Sequence, residues 1–405
     1  MPNYKYISRG KDGKPDEGFM EAKTEDELVG VLQSRGLTVV SFKEVEKVGV
    51  KASKKPRRMH PGVKQDDLIT FSKQLQALLG AGITLLRSLE IITLQISSTQ
   101  LFNALEAIKK DVSAGSSLKA AIEKHPKVFS RLWVNIIETG ETTGQLPFAL
   151  EQLTGYLESS SSLQRKVKSA LVYPLIVLSV AGGAVAIFVW KIIPMFANIY
   201  EGFGSELPAF SQLVFGICLT LKDYTFVVIG VVAAIIFGIR FYYKTQDGKK
   251  NIDTFKLSLP IVGDVIRQVA AVRFASGLNM LIKSGTPILH ALDIVIETAG
   301  NVIVKEMLQK VKNNVREGKS MAQPLIDGGV FPDMLSHMVA VGEESGELAS
   351  MLDNAAKFYE ERVDATVSRL ATMFEPILIV FIGIIVGTLV IAMFLPIFGL
   401  SGVLK

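Results

Sequence analysis

Gly318-Lys319-Ser320 ends as a phosphate-binding loop ends, with glycine backbone to cradle phosphates and a lysine to reach them. The complete motif needs another glycine five positions before Gly318, following a strand. Asn313 holds that place, inside a helical pattern, and the matching earlier segment is Gly115-Ser116-Ser117. The segment therefore reads as a helix break, and no ATP site is expected. His60, His125, His290 and His337 share no ligand spacing. Cys218 is the single cysteine, which excludes an intramolecular disulfide and a cysteine metal cluster. No HExxH, GxSxG or paired-aspartate pattern occurs, so no nucleophile has a base beside it. The chain reads as a non-enzyme, with no catalytic, metal or cofactor residues to assign.

The sharpest local pattern is G-E-x-x-G, present as Gly140, Glu141 and Gly144 and again as Gly342, Glu343 and Gly346. Glycines permit a tight reversal between helices. Each glutamate can cap the helix that follows, or bind a basic partner. Both readings stay open. Four prolines form a second paired pattern. Pro174 and Pro376 mark where each apolar stretch begins, and Pro194 and Pro396 where it ends. Proline removes a backbone donor and bends or ends a helix. The spacing of about 20 residues equally suits a hinge or a packing face against another membrane helix.

The elements around these patterns come in two copies. Phe129, Leu146 and Glu158 recur as Phe331, Leu348 and Glu360, and Leu75, Gly82, Leu89 and Gly115 as Leu278, Gly285, Leu292 and Gly318. A spacing of about 200 residues that holds over so many positions is an internal repeat. In the first copy Leu68, Phe71, Leu75, Leu78 and Leu79 share a helical face from Gln65 onward. Further helices are predicted at about 99–114, 116–124 and 129–140. A last one begins after GETTG and runs on into the apolar stretch. Each copy reads as a bundle of about six helices, and nothing in either reads as a sheet.

Composition fits a mixed protein. Of 405 residues 49% are hydrophobic and 20% charged, with a mean hydropathy of +0.34. This is too apolar for an ordinary soluble protein and too charged for one mostly within a bilayer. Three segments can cross a membrane: 169–193, 224–241 and 375–398. Arg165, Lys166 and Lys168 precede the first, and Arg240, Lys244, Lys249 and Lys250 follow the second. The positive-inside rule puts both bundles, 66–168 and 242–374, on the cytoplasmic side. The 194–223 segment and the tail 399–405 then lie outside. LPAFSQLVFGICLTL within 194–223 is apolar but short, and is expected to lie on the membrane surface. A transporter with parallel repeats would show ionisable groups at mid-span, and these spans offer only serine, threonine and glycine. A membrane peptidase would need aspartates there.

Residues 1–45 read as a small α/β module. YKYIS and LTVVSFKEV are strand-like, KDGKPDEG is a turn, and TEDELVGVLQSRG is a helix with Thr24 as its cap and Gly36 at its end. The polar opening carries no signal-peptide pattern, so targeting is expected from the internal spans. A basic linker follows at 46–65, with Lys51, Lys54, Lys55, Arg57, Arg58 and Lys64. It suits a solvated tether or contact with acidic lipid head groups. No aromatic residues are interleaved for base stacking, so no nucleic-acid partner is expected.

The whole arrangement resembles the inner-membrane platform proteins of type IV pilus and type II secretion machines. The opening YKYISRGKDGK, the paired GETTG and GEESG, and KVKSALVYPLIVLSVAGGAVAIFVWKIIP carry the likeness. Lys166, Tyr173, Pro174, Ile192, Ile193 and Pro194 are in place, and Phe188 stands where a different apolar residue is usual. The resemblance implies a multi-pass protein of the bacterial inner membrane with its N-terminus cytoplasmic. It also implies a homo-oligomer that meets a hexameric assembly ATPase, pilin or pseudopilin subunits and other inner-membrane assembly proteins. Pilus, secretion and DNA-uptake machines all stay open. Some members of the family bind calcium near the position of Glu151. Here the residue one turn on is Gly155, and the second copy has Asp353 and Lys357, while calcium prefers six to eight oxygens, so calcium near Glu151 stays an open alternative to no metal.

Overall fold

The computed structural model describes residues 3–9, 15–22, 25–34, 38–45, 60–202 and 208–403. The N-terminal module pairs strands β1 (Asn3–Arg9), β2 (Pro15–Glu21) and β3 (Thr38–Val45) in the antiparallel order β2-β1-β3, with helix α1 (Glu25–Ser34) between β2 and β3. Tyr4, Ala22 and Leu28 are its buried residues. Of the expected turn KDGKPDEG, Lys11 to Lys14 lie outside the described residues. Pro15 to Gly18 already belong to β2, because Gly18 lies opposite Tyr6 in the ladder. Thr24, Gly36 and the tether 46–59 lie outside the described residues.

The first repeat consists of α2 (Gln65–Gly80), α3 (Leu85–Thr93), α4 (Thr99–Ser113), α5 (Leu118–Glu123), α6 (Arg131–Thr142) and the first part of α7 (Leu146–Ile187). Apolar residues at helical spacing build its core. Phe71, Phe129 and Trp133 meet there with ring centroids 5.3–5.9 Å apart. After α7 come a π-turn (Phe188–Ile192), α8 (Ile193–Gly202), α9 (Ala209–Asp223) and α10 (Thr225–Tyr243).

The second repeat uses α12 (Val262–Lys283), α13 (Ile288–Thr298), α14 (Val302–Arg316), α15 (Ala322–Gly328), α16 (Asp333–Ser345) and the first part of α17 (Leu348–Val403). Phe274 and Phe331, counterparts of Phe71 and Phe129, stack 5.3 Å apart. This half also carries α11 (Gln246–Ser258), which has no counterpart among the described residues of the first. Asp253 fixes it in place. Its buried carboxylate accepts hydrogen bonds from Val302 N and the Tyr243 hydroxyl, each at 3.1 Å.

Residues of both repeats join one continuous core. Arg131 on α6 pairs with Glu297 on α13 at 2.6 Å, and His290 Nε2 meets Asn135 Oδ1 at 2.5 Å. Between α7 and α17, Ser159 donates to Glu360 and Lys166 to Asp364. These two contacts advance along both helices in the same direction, so α7 and α17 run parallel. A separate cluster joins Val189 and Ile193 to Val214, Phe215 and Cys218 of α9 and to Leu389 and Ala392 of α17.

Four helical stretches among the described residues are long and apolar enough to cross a membrane: Leu146–Ile199, Thr225–Tyr243, Val262–Lys283 and Leu348–Pro396. Burial separates them. The apolar window of Val262–Lys283 is 56% buried inside the protein, whereas the other three windows are 0–17% buried. The α12 stretch is apolar because it is the central helix of the second bundle. By contrast, α10 buries no residue at all.

Candidate functional site

Gly140 and Gly342 do not lie in a turn. Each is a buried residue inside the helix before it, α6 or α16. Their role is close approach. A Cβ on Gly140 would stand 2.8 Å from Ala149 Cβ and 3.0 Å from Leu146 Cα. On Gly342 it would stand 2.9 Å from Leu348 Cα and 3.1 Å from Met351 Cβ. Absence of a side chain lets α6 touch the start of α7, and α16 the start of α17. The reversal itself belongs to Gly144 and Gly346, whose φ values of 69° and 73° are left-handed and strained for other residues.

The glutamates do not cap the helix that follows. One turn of helix carries Glu141 round to the N-terminus of the earlier α5, where Oε1 accepts from Leu118 N at 2.6 Å and Oε2 from Lys119 N at 2.8 Å. Ser117 Oγ accepts from Ala120 N at 3.1 Å, so three otherwise unpaired amides of α5 are satisfied. The second copy repeats the device. Glu343 accepts from Met321 N at 2.7 Å, Ala322 N at 3.2 Å and the Ser320 hydroxyl at 2.6 Å. A carboxylate at a helix N-terminus gains both charge-assisted hydrogen bonds and the field of the helix dipole. Sequence reasoning missed the serines, Ser117 and Ser320, although both occupy the same place in a segment read only as a helix break.

Gly318 has a φ of 73°, Lys319 Nζ pairs with Glu317 at 2.8 Å, and Ser320 is held by Glu343. The glutamate at 317 holds the Lys319 ammonium above its usual range. These groups form a helix junction with their donors directed at the protein itself. Asp353 receives Lys357 Nζ at 2.8 Å and Asn279 Nδ2 at 2.9 Å, with Lys283 at 3.8 Å. The hydrogen bond from Lys357 foremost holds its carboxyl below the usual range. Glu151 is exposed and Gly155 beside it has open space. No group of three or more histidine, cysteine, aspartate or glutamate side chains converges among the described residues.

The prolines interrupt their helices less than expected. Pro174 lies inside α7, and Pro376 and Pro396 inside α17. Helix continues past Pro194 as well, but only after the π-turn Phe188–Ile192, where Ile193 N reaches back to Phe188 O. Proline at 194 has no N–H to give the carbonyl four residues back, and the wider turn takes up the mismatch. Next to it, Trp190 Nε1 donates to Thr225 Oγ1 at 3.3 Å and links the first apolar helix to α10. The second copy has no π-turn, so the two proline-marked helices differ at this point.

A cleft of about 360 Å³ opens where α7 meets the second repeat. Its walls are mainly apolar, with Leu163, Val167 and Val269, and it carries Lys168 and Arg273 beside Asp253, which pairs with Lys256 at 3.3 Å. Such a lining suits an amphiphile with an acidic head.

Comparison with known proteins agrees with the repeat. The model of the family "Type II secretion system (T2SS), protein F" matches residues 71–194 and again 274–396, and the model of that protein's N-terminal domain matches residues 1–43. The chain is 38% identical over 406 residues to the type IV pilus assembly protein PilC of Thermus thermophilus, covering all of both. It is 37% identical to PilC of Myxococcus xanthus, over 98% of this chain and 95% of the relative. Against type II secretion system protein F of Pseudomonas aeruginosa the identity is 29%, over 99% of each. With both halves and the N-terminal module matched, and similarity running end to end, the chain belongs to the type II secretion system protein F family, the platform proteins of type IV pilus and type II secretion machinery.

Proposed function

We propose that this protein is the inner-membrane platform of a type IV pilus machine. It couples a cytoplasmic hexameric assembly ATPase to the insertion of pilin subunits into a growing filament. The observation that carries this reading is the end-to-end similarity to PilC proteins, at 37–38% identity against 29% for the secretion relative. The fold supports it. Two bundles share one core, and each continues without a break into an apolar helix. A motion imposed on a bundle is therefore transmitted along a rigid helix. Energy comes from the partner, since the Gly318–Ser320 junction is engaged internally.

In this layout both bundles are cytoplasmic, as the flanking lysines and arginines require. The spans are the apolar parts of α7 and α17 together with α10. The bare surface of α10 faces lipid or the apolar helix of a pilin. Lys168 and Arg273 in the cleft take the head group of an acidic lipid. Inner-membrane assembly proteins complete the set of partners. The G-E-x-x-G elbows act as struts that fix each bundle to its membrane helix.

The test is deletion and complementation in the source bacterium. Loss of surface filaments, restored by the intact chain, supports the proposal. Purified protein should capture the assembly ATPase in detergent and hydrolyse no ATP by itself. Filaments at normal number in the deletion strain would refute it.

A further inference from the structure

Apart from the parallel α7–α17 pair, the contact between the two repeats is one-sided. The first repeat contributes α6 and α7, and the second contributes α12 and α13, beside α17, which lies along α7. Outside the α7–α17 pair, the reciprocal surfaces are α2 and α3 of the first repeat and α16 of the second. Among the described residues no hydrogen bond or ion pair joins them. The two bundles are thus related head to tail, and one complementary half-interface stays open at each end of the chain.

The residues at the open ends fit each other. Within the chain, Thr139 on α6 meets Thr286 before α13, hydroxyl to hydroxyl at 3.4 Å. Repeat spacing replaces Thr139 by Val341 and Thr286 by Ile83. A polar pair has become an apolar pair on both surfaces at once. Glu297, the ion-pair partner of Arg131, corresponds to Leu94, which is 64% exposed. Leu132 on α6 is 5% exposed, whereas its counterpart Met334 is 51% exposed, as is Val341. Leu94, Met334 and Val341 are therefore uncovered at the places where the internal contact covers or pairs their equivalents. His337, the counterpart of Asn135, would meet the exposed Arg87–Glu90 pair, whose carboxylate can accept from the ring.

Building on the platform reading, we propose that a second copy of this chain docks its α16 face on α3 of the first, repeating between chains the α6-on-α13 contact made within one. A heterologous contact of this kind closes into a ring or continues as a helix. Because α7 and α17 run parallel and both lead into apolar segments, the rotation axis lies along the membrane normal. Copies then stay in one bilayer, and the assembly is a ring of alternating first and second bundles.

Cross-linking of the full-length protein in native membranes tests this, in a Cys218→Ser background with a short bismaleimide. Ile83→Cys with Val341→Cys on the same chain should give covalent dimers and higher multimers. Thr139→Cys with Thr286→Cys should close within one chain and add no mass. Adding Leu94→Glu and Met334→Glu should cut the intermolecular product at least tenfold and leave the Thr139–Thr286 product unchanged, which shows that the fold survives. Absence of multimers from the Ile83–Val341 pair overturns the proposal. So does equal dimer yield from Val341→Cys alone, which would mean a two-fold contact. Absence of multimers in cells whose filaments depend on the chain would remove the interface and leave the platform reading standing. Multimers in cells where deletion of the chain leaves filaments intact would do the reverse.

Discussion

Replacing Glu141 by alanine isolates the elbow's contribution to its bundle. The substitution removes two acceptors from amides of α5, at 2.6 and 2.8 Å. A hydrogen bond to a charged group contributes about 1.5–3 kcal/mol when well desolvated. Glu141 is only half-buried, and Ser117 still holds Ala120 N, so the loss falls to about 2 kcal/mol, the upper end for an N-cap. That energy corresponds to about a thirtyfold rise in the population of locally opened α5. Hydrogen exchange of the full-length protein in detergent, read on peptides covering 118–123, measures it directly. Glu141→Gln keeps one carbonyl acceptor and should give roughly half the effect in free energy. Glu343→Ala should loosen 321–325 at least as much, because the Ser320 hydroxyl loses its acceptor too. Filament yield in each variant should fall only in step with membrane abundance. Unchanged protection of α5 in Glu141→Ala, with assembly abolished at normal abundance, would refute the capping argument and make the carboxylate a partner contact.

Gly140→Ala and Gly342→Ala should each cost about 1–3 kcal/mol, because the new methyl meets the neighbouring helix at under 3 Å. Gly155→Ala, with nothing within 4 Å in the same helix α7, should stabilise by up to about 1 kcal/mol, and thermal unfolding in detergent ranks the three. Asp353 has a folded pKa below its unfolded value of 3.8, so its contribution is present above about pH 4 and fades as pH falls through the depressed value. Asp353→Asn should therefore lower stability at neutral pH and flatten the acid limb of the stability profile, and an unchanged acid limb would show that the Lys357 pair contributes nothing. Ala234→Arg, at the centre of α10, should impair membrane insertion by about 2.5–3.5 kcal/mol, read by a topology reporter fused after Tyr243. Normal insertion would remove α10 from the spans.

What the sequence makes legible follows from how local the cause is. Helical periodicity from Leu68 to Leu79, the break at Gly82 and the paired cores are written in spacing, because burial selects residues every three or four positions. Phe71 packs on Phe129 as Phe274 packs on Phe331 for that reason. Glu141 was visible as a residue that matters and invisible in its role. Its acceptors serve amides more than twenty residues earlier in the chain, and a local reading naturally assigns a carboxylate to the nearest helix start. Gly140 misled in the same way, since a glycine chosen for close helix approach looks like a glycine chosen for a turn until the neighbouring helix is in place. The prolines show the opposite error. Their missing donor is a local fact, but a wider turn before Pro194 absorbs it without ending the helix. Repetition amplifies what spacing shows, yet it hides asymmetry. Two copies of one bundle imply two equal surfaces, yet outside the α7–α17 pair the fold uses only one surface of each. Val341 and Ile83 record that difference in their composition, because a position that has turned apolar on both halves of a would-be contact, with Val341, Leu94 and Met334 left exposed around it, is where a symmetric repeat stops being self-sufficient.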